Sequence, residues 1–230
     1  MIRRTLTGCG LLLCVGVVVA GCGGQHHTQT QTHAPSSQTG AGTPATGAQV
    51  LMLARVLESN LEHGGAHFSA AVRVSGQPVA ATGRVSFRSG RGTMLVRPVQ
   101  AGQGPPRRYF WTRHVVLAQA SPGSSSYAYE RPNEQGNPIH AMIGFINLLS
   151  AETIDNTTAI QSQSPRLLRQ TIIDGARVDE FSLGRGGNVK LWILRRDGLL
   201  RRVSTTADGI TVDLVTHQRV KIVLPAGKRG

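Results

Sequence analysis

Apolar and polar positions change period several times along this chain, and each change marks an element. Val50, Leu53, Ala54, Leu57 and Leu61 recur at helical spacing, and Gly64-Gly65 ends the run. Phe68, Ala70, Val72 and Val74 then alternate with smaller or polar residues, which is the period of a strand half exposed to water. Val85 and Phe87 alternate before a turn at Ser89-Gly90, and Met94 and Val96 after it. Arg107 to Gln119 reads as one long strand carrying Tyr109, Phe110 and Trp111, while Tyr127 and Tyr129 mark a short one. The segments between these runs are too short for helical crossovers, so the pattern predicts antiparallel hairpins.

A second helical period follows Pro138, with Ile139, Met142, Ile143, Ile146 and Leu149 three and four residues apart. Two further hairpins turn at Asp174-Gly175 and Asp197-Gly198, both suited to tight turns. A last pair of strands is expected at Ile210 to Leu214 and Arg219 to Leu224. The expected class is therefore α+β: one strongly curved antiparallel sheet, a half-barrel of about ten strands, whose concave face is covered by the helices.

Upstream of this pattern the chain has a different character. Arg3 and Arg4 precede an uncharged apolar run, Leu11 to Ala20, which has the layout of a secretory signal. The run is too short to span a bilayer, which takes ~20 apolar residues at ~1.5 Å each. It ends in Val19-Ala20-Gly21-Cys22, which resembles the bacterial lipobox: an aliphatic residue, two small residues and a cysteine whose sulfur accepts diacylglycerol. Residues 1–21 are thus expected to be removed and Cys22 to carry the lipid, placing the protein on the extracytoplasmic face of the cell membrane. Cys9 and Cys14 fall within the signal, so the mature chain has no disulfide and depends on its core.

Residues 22–49 begin at Cys22, and from Gln25 to Gln49 they are Gln, Thr, Gly, Ser, Pro, Ala and His, with no charge and almost nothing apolar larger than alanine. Such a segment cannot offset its ordering entropy and reads as a tether, with an r.m.s. reach of roughly 25–30 Å. Residues 50–230 are of a length suited to one domain. The formal net charge of +13 is carried mainly by arginine. An export signal sets that charge opposite anionic lipid and wall polymer and not nucleic acid. Arg195, Arg196, Arg201 and Arg202 flank the Asp197-Gly198 turn, and form either a solvated face or a patch for phosphate-bearing headgroups.

The order helix, strands, helix, strands resembles the half-barrel of the LolA/LolB lipoprotein carriers, and more closely the actinobacterial LprG/LppX lipoproteins. The phrases that carry the likeness are Ile173 to Phe181, with its turn glycine, and Lys190 to Arg202, where a strand with Trp192 leads through Gly198 to a strand beginning near an arginine. Many relatives have an acidic residue two places after that tryptophan; here Leu194 stands there and makes the strand more apolar. The resemblance implies an apolar cavity for acyl chains between sheet and helices. On that basis Ile139, Met142, Ile143, Ile146 and Leu149, with Trp111 and Trp192, would line it, although the same residues would serve equally to fill a core.

No arrangement in the sequence points to catalysis, a cofactor or a metal. His63 and His67 stand four apart, but Gly64-Gly65 between them breaks a helix and no glutamate accompanies them. Gly184-Arg185-Gly186-Gly187 joins two strands and opens no helix that could receive a phosphate. The sequence therefore supports a non-enzymatic envelope lipoprotein that binds or transfers lipids or lipid-anchored glycans. The alternative is a regulatory lipoprotein that binds an envelope protein partner, as RseB-type regulators do.

Overall fold

The computed structural model describes residues 42–100, 104–151 and 157–225, all within the compact unit Thr39–Gly230. The signal, Cys22 and most of the expected tether lie outside these residues. In chain order the elements are β1 (Thr43–Pro44), α1 (Gly47–His63), β2 (Ala66–Val74), β3 (Gln77–Ser86), β4 (Arg91–Pro98), β5 (Arg107–Trp111), β6 (Val116–Gln119) and β7 (Tyr127–Glu130). There follow α2 (Pro138–Asn147), α3 (Thr157–Ser162), β8 (Arg166–Ile173), β9 (Ala176–Leu183), β10 (Val189–Leu194), β11 (Leu200–Thr205) and β12 (Thr211–His217).

The strands form one 12-stranded sheet in the order β1-β8-β9-β10-β11-β12-β2-β3-β4-β5-β6-β7. Two meanders, β2 to β7 and β8 to β12, are joined where β12 returns to pair with β2. Every pairing is antiparallel, and the sheet is open, with β1 and β7 at its ends. Glycine at positive φ makes the tight turns possible: Ser75-Gly76 joins β2 to β3 with φ of 49° and 79°, and Asp174-Gly175 joins β8 to β9 with 47° and 77°. Paired left-handed residues of this kind match the twist of the strands they connect.

The capping chemistry of α1 is complete. Thr46 Oγ1 accepts from Gln49 N at 3.3 Å while Thr46 N donates to Gln49 Oε1 at 2.8 Å, and Gly64 closes the other end in the left-handed region. Pro138 opens α2, and the Asn137 side chain caps it by accepting from Ile139 N at 2.9 Å. Val50, Leu53, Ala54 and Val56 of α1 and Ile139, Met142, Ile143 and Ile146 of α2 join one face of the sheet in a single apolar core.

Cross-strand register defines that face. Leu167, Phe181, Leu191, Val203, Val212, Ala70, Ala81 and Val96 stand opposite one another across eight strands, all on the core side. One residue along, the row Arg169, Glu180, Trp192, Arg202, Asp213, Ser69, Thr82, Leu95 and Arg108 lies on the other side.

Four elements differ from the pattern-based expectation. Arg107 to Gln119 is a hairpin and not one strand: Thr112 N donates to Val115 O at 2.9 Å, and Thr112 Oγ1 accepts from His114 N and Val115 N. Residues 218–225 form no strand, because the last pairing of the sheet is made by β12 itself. The strand β1 has no counterpart in the expected elements; it pairs Thr43 with Leu167, so the sheet reaches back before Val50. The short helix α3 has none either.

Candidate functional site

Two places stand out by residue type: the apolar set beneath α2 and the arginines around the β10–β11 turn. Ile139, Met142, Ile143, Ile146, Leu149 and Trp111 do come together, in the core, with Met142, Ile146 and Trp111 wholly buried. Glycines on neighbouring strands make room for the aromatic rings there. A Cβ on Gly92 would lie 1.9 Å from Trp111 Cζ2, and one on Gly83 2.7 Å from Phe68 Cζ. The two rings meet with centroids 6.2 Å apart.

Few polar contacts tie α2 and the residues beside it in place. Trp111 Nε1 donates to Asn147 Oδ1 at 3.0 Å, and buried Asn60 Nδ2 donates to Leu149 O at 2.6 Å. At the other end, buried His140 faces Glu130 with Nε2 to Oε2 at 3.0 Å, while its Nδ1 accepts from Asn133 N at 3.1 Å. The helix itself, PIHAMIGFIN, carries no Asp, Glu, Lys or Arg.

Trp192 does not belong with this set. The alternation of β10 turns Leu191 and Ile193 to the core and Trp192 to the opposite face. There it is 9 % exposed and the Arg202 guanidinium lies 5.7 Å from its ring centroid.

A cleft of about 180 Å³ opens beside Trp111, lined also by Thr112, Val115, Leu117, Tyr129, Leu224 and Pro225. Trp111 is the residue of the expected lining set that borders it. A second cleft, of about 360 Å³, lies between α1 and the β10–β11 turn and is lined by Ala48, Leu51, Met52, Arg55, Ser59, Asp197 and Gly198. For scale, a ~150 Å³ apolar cavity takes up benzene, whereas pockets for drug-sized ligands run from ~300 Å³ upward.

The four arginines expected to form a headgroup patch are each held by a carboxylate. Arg195 pairs with Asp179 at 3.5 Å, Arg196 with Asp197 at 3.0 Å, Arg201 with Asp174, and Arg202 with Asp213. Arg201 is moreover buried. The pairing of β10 and β11 shifts between Trp192 and Ile193, so Arg201 is the extra residue of a bulge. From there it donates to Leu214 O of β12, just where the β11–β12 ladder has ended. Arg201 and Arg202 thus tie neighbouring strands of the sheet together, whereas Arg196 stands exposed at the turn with Asp197 as its partner.

His63 and His67 separate as the glycines between them require. His63 caps back onto Ser59 O through Nδ1 at 2.8 Å, whereas His67 Nε2 meets Gln218 Nε2 at 3.1 Å. The ring nearest His63 is that of His217, with centroids 6.0 Å apart. Burial first, and then the neighbouring His63, lower the His217 pKa from 6.5 to about 4. Among the described residues no group of three or more His, Cys, Asp or Glu is arranged to hold a metal ion, and no helix is long and apolar enough to cross a membrane.

The geometry describes a class: an open antiparallel sheet with helices sharing the apolar core on one face, and an apolar cleft beside Trp111. No known protein family matches the chain, and no curated protein does. Among solved structures, an uncharacterized conserved protein from Thermus thermophilus is similar over 77% of this chain and 90% of its own, at 13% identity and a TM-score of 0.42. MucB in complex with MucA(peri) is similar over 76% of this chain and 59% of its own, at 9% identity and a TM-score of 0.38. At these scores neither likeness carries an argument about function.

Proposed function

We propose that this chain is a non-catalytic, lipid-anchored protein of the cell envelope that takes up an apolar chain between its sheet and α2. The cleft at Trp111 is lined from β5, β6, β7 and Leu224-Pro225, with Leu117 and Tyr129 in the row of Phe110 on the face opposite the core. What carries the reading is therefore the apolar set that α2 lays against the core face: Ile139, Met142, Ile143 and Ile146, with Leu149 and Trp111 beside them. A ligand entering there would bury methylenes at roughly 0.8 kcal/mol each before ordering costs. Beneath α2 the packing is close, with Met142, Ile146 and Trp111 wholly buried, so entry requires α2 to move away from the sheet. With no Asp, Glu, Lys or Arg and, among the described residues, with side-chain ties to the sheet only through Asn147 to Trp111 and His140 to Glu130, α2 is the element best suited to do so. Cys22 would hold the domain at the membrane through the Val19-Ala20-Gly21-Cys22 sequence.

The close packing of Met142, Ile146 and Trp111 favours a second reading, in which the core stays closed and the domain recognises a protein partner, as a regulator would. Mass spectrometry of lipid extracted from the purified Cys22→Ala chain separates the two. The carrier reading expects a co-purified acyl lipid approaching one per chain, and a lipid-free preparation that also fails to take up added fatty acid would move the assignment to the partner-binding protein.

A further inference from the structure

Arginines read from the sequence as a cationic patch each have a carboxylate beside them, so the net charge of +13, two of it from Arg3 and Arg4, lies mainly elsewhere. Between Glu62 and Glu130 the chain has eight arginines and no Asp or Glu, so the strands β2 to β5 contain no carboxylate with which to compensate them. Four of the eight, Arg73 on β2, Arg84 on β3, Arg97 on β4 and Arg108 on β5, are exposed and lie on the sheet face opposite the core. Among the described residues no carboxylate pairs with any of them. Arg73 donates only to the carbonyl of its own turn, Gly76 O, at 3.2 Å.

Register sets how they are spaced. Arg84 stands opposite His67 and Thr93; Arg108 stands opposite Leu95, in the row that runs through Thr82 to Ser69. Arg97 is opposite Ala80, in the row of Ala71, and Arg73 is opposite Pro78. On β2 these rows fall at His67, Ser69, Ala71 and Arg73, four successive positions on that face. Each row and each strand thus holds one of the four arginines. With strands ~4.8 Å apart and same-face residues ~6.7 Å apart, the four span an area of roughly 14 by 20 Å. Ser69, Ala71, Ala80 and Thr82 between them are small, so the guanidinium groups stand above the sheet.

We propose that this face docks on the surface of an anionic phospholipid membrane. The arginines form a two-dimensional array and not a line or a groove, which matches a plane of phosphates better than a single extended polyanion. Guanidinium groups grip phosphate oxygens bidentately. A protein partner would call for a buried aromatic anchor, but the aromatic on this face of β5, Phe110, already packs edge-on against Tyr127 at 5.3 Å. The inference rests on the envelope placement proposed above and not on uptake of an acyl chain, so the two can fail separately.

The test is co-sedimentation of the full chain carrying Cys22→Ser, so that no anchor contributes, with two kinds of vesicle. Phosphatidylcholine vesicles measure whatever the N-terminal apolar run contributes; equimolar phosphatidylcholine and phosphatidylglycerol vesicles add the anionic surface. Preference for the anionic vesicles is expected, weakened by high salt. Affinity is expected to fall about fivefold for each arginine replaced in Arg73→Gln, Arg84→Gln, Arg97→Gln and Arg108→Gln, and to survive the same four changes to Lys. If the fourfold Gln variant does not fold, the four single variants carry the comparison. Equal binding to both vesicles, undiminished binding of the Gln variants, or displacement by polyglutamate or duplex DNA at lower charge concentration than the vesicles would each overturn the proposal.

Discussion

His217 occupies the end of β12 with its Nε2 buried and without a partner, beside His63, Arg201 and Asp197. Burial and the His63 ring together lower its pKa to about 4. In the unfolded chain the same imidazole takes a proton near pH 6.5. Between these values the unfolded state binds the extra proton, so stability is complete above pH 6.5 and is lost as pH falls toward 4. Allowing for the part of the ring that water still reaches, the loss is on the order of 1–2 kcal/mol. Urea denaturation at neutral pH and near pH 4.5 checks this: His217→Phe should flatten the difference, and an unchanged difference would place the acid sensitivity elsewhere. At this scale part of the answer is readable from sequence. Val189, Leu191 and Ile193 alternate, so Trp192 has to face away from them, and the carboxylate-free run from His63 to Tyr129 marks where the uncompensated charge lies. The partners of Arg195, Arg201 and Arg202 are not readable, because Asp179, Asp174 and Asp213 reach them only through the register of separate strands.

Among the elements, those with a strong period and a chemical stop are legible. The helix α1 has a capping box and a terminal glycine, α2 has a proline start, and β8–β9 has an Asp-Gly turn. The turn between β5 and β6 escapes notice because Thr112-Arg113-His114-Val115 contains no glycine, proline, asparagine or aspartate; the Thr112 hydroxyl makes the turn by accepting two backbone N–H groups. Strand β1 has no apolar period at all, and its proline suits it to the sheet edge. Gly42 is needed before it, since a Cβ there would lie 2.1 Å from Leu167 O. Deleting residues up to Ala45 therefore removes the strand that covers β8, together with the bond from Ala45 N to Pro165 O at 2.9 Å. A chain beginning at Thr46 should melt a few degrees below one beginning at Gly23, at ~2–4 °C per ~1 kcal/mol lost. Equal melting temperatures would show that β1 adds nothing to the fold.

For the whole molecule, each hairpin is a local decision, but the sheet depends on two pairings between distant segments, β12 with β2 and β1 with β8. No turn signal connects those strands, so an antiparallel sheet can be expected from the sequence while its strand order cannot. The same two-faced sheet separates the two tryptophans. Trp111 lies in the core beneath α2, and Trp192 lies on the opposite face under Arg202. That separation gives the uptake proposal its most direct test, quenching of tryptophan emission by a brominated fatty acid. In a Trp192→Phe chain, whose emission comes from Trp111 alone, saturable quenching is predicted; in a Trp111→Phe chain that retains its fold, emission from Trp192 should be unaffected. Quenching of neither, or of both alike, would contradict entry of an apolar chain between the sheet and α2.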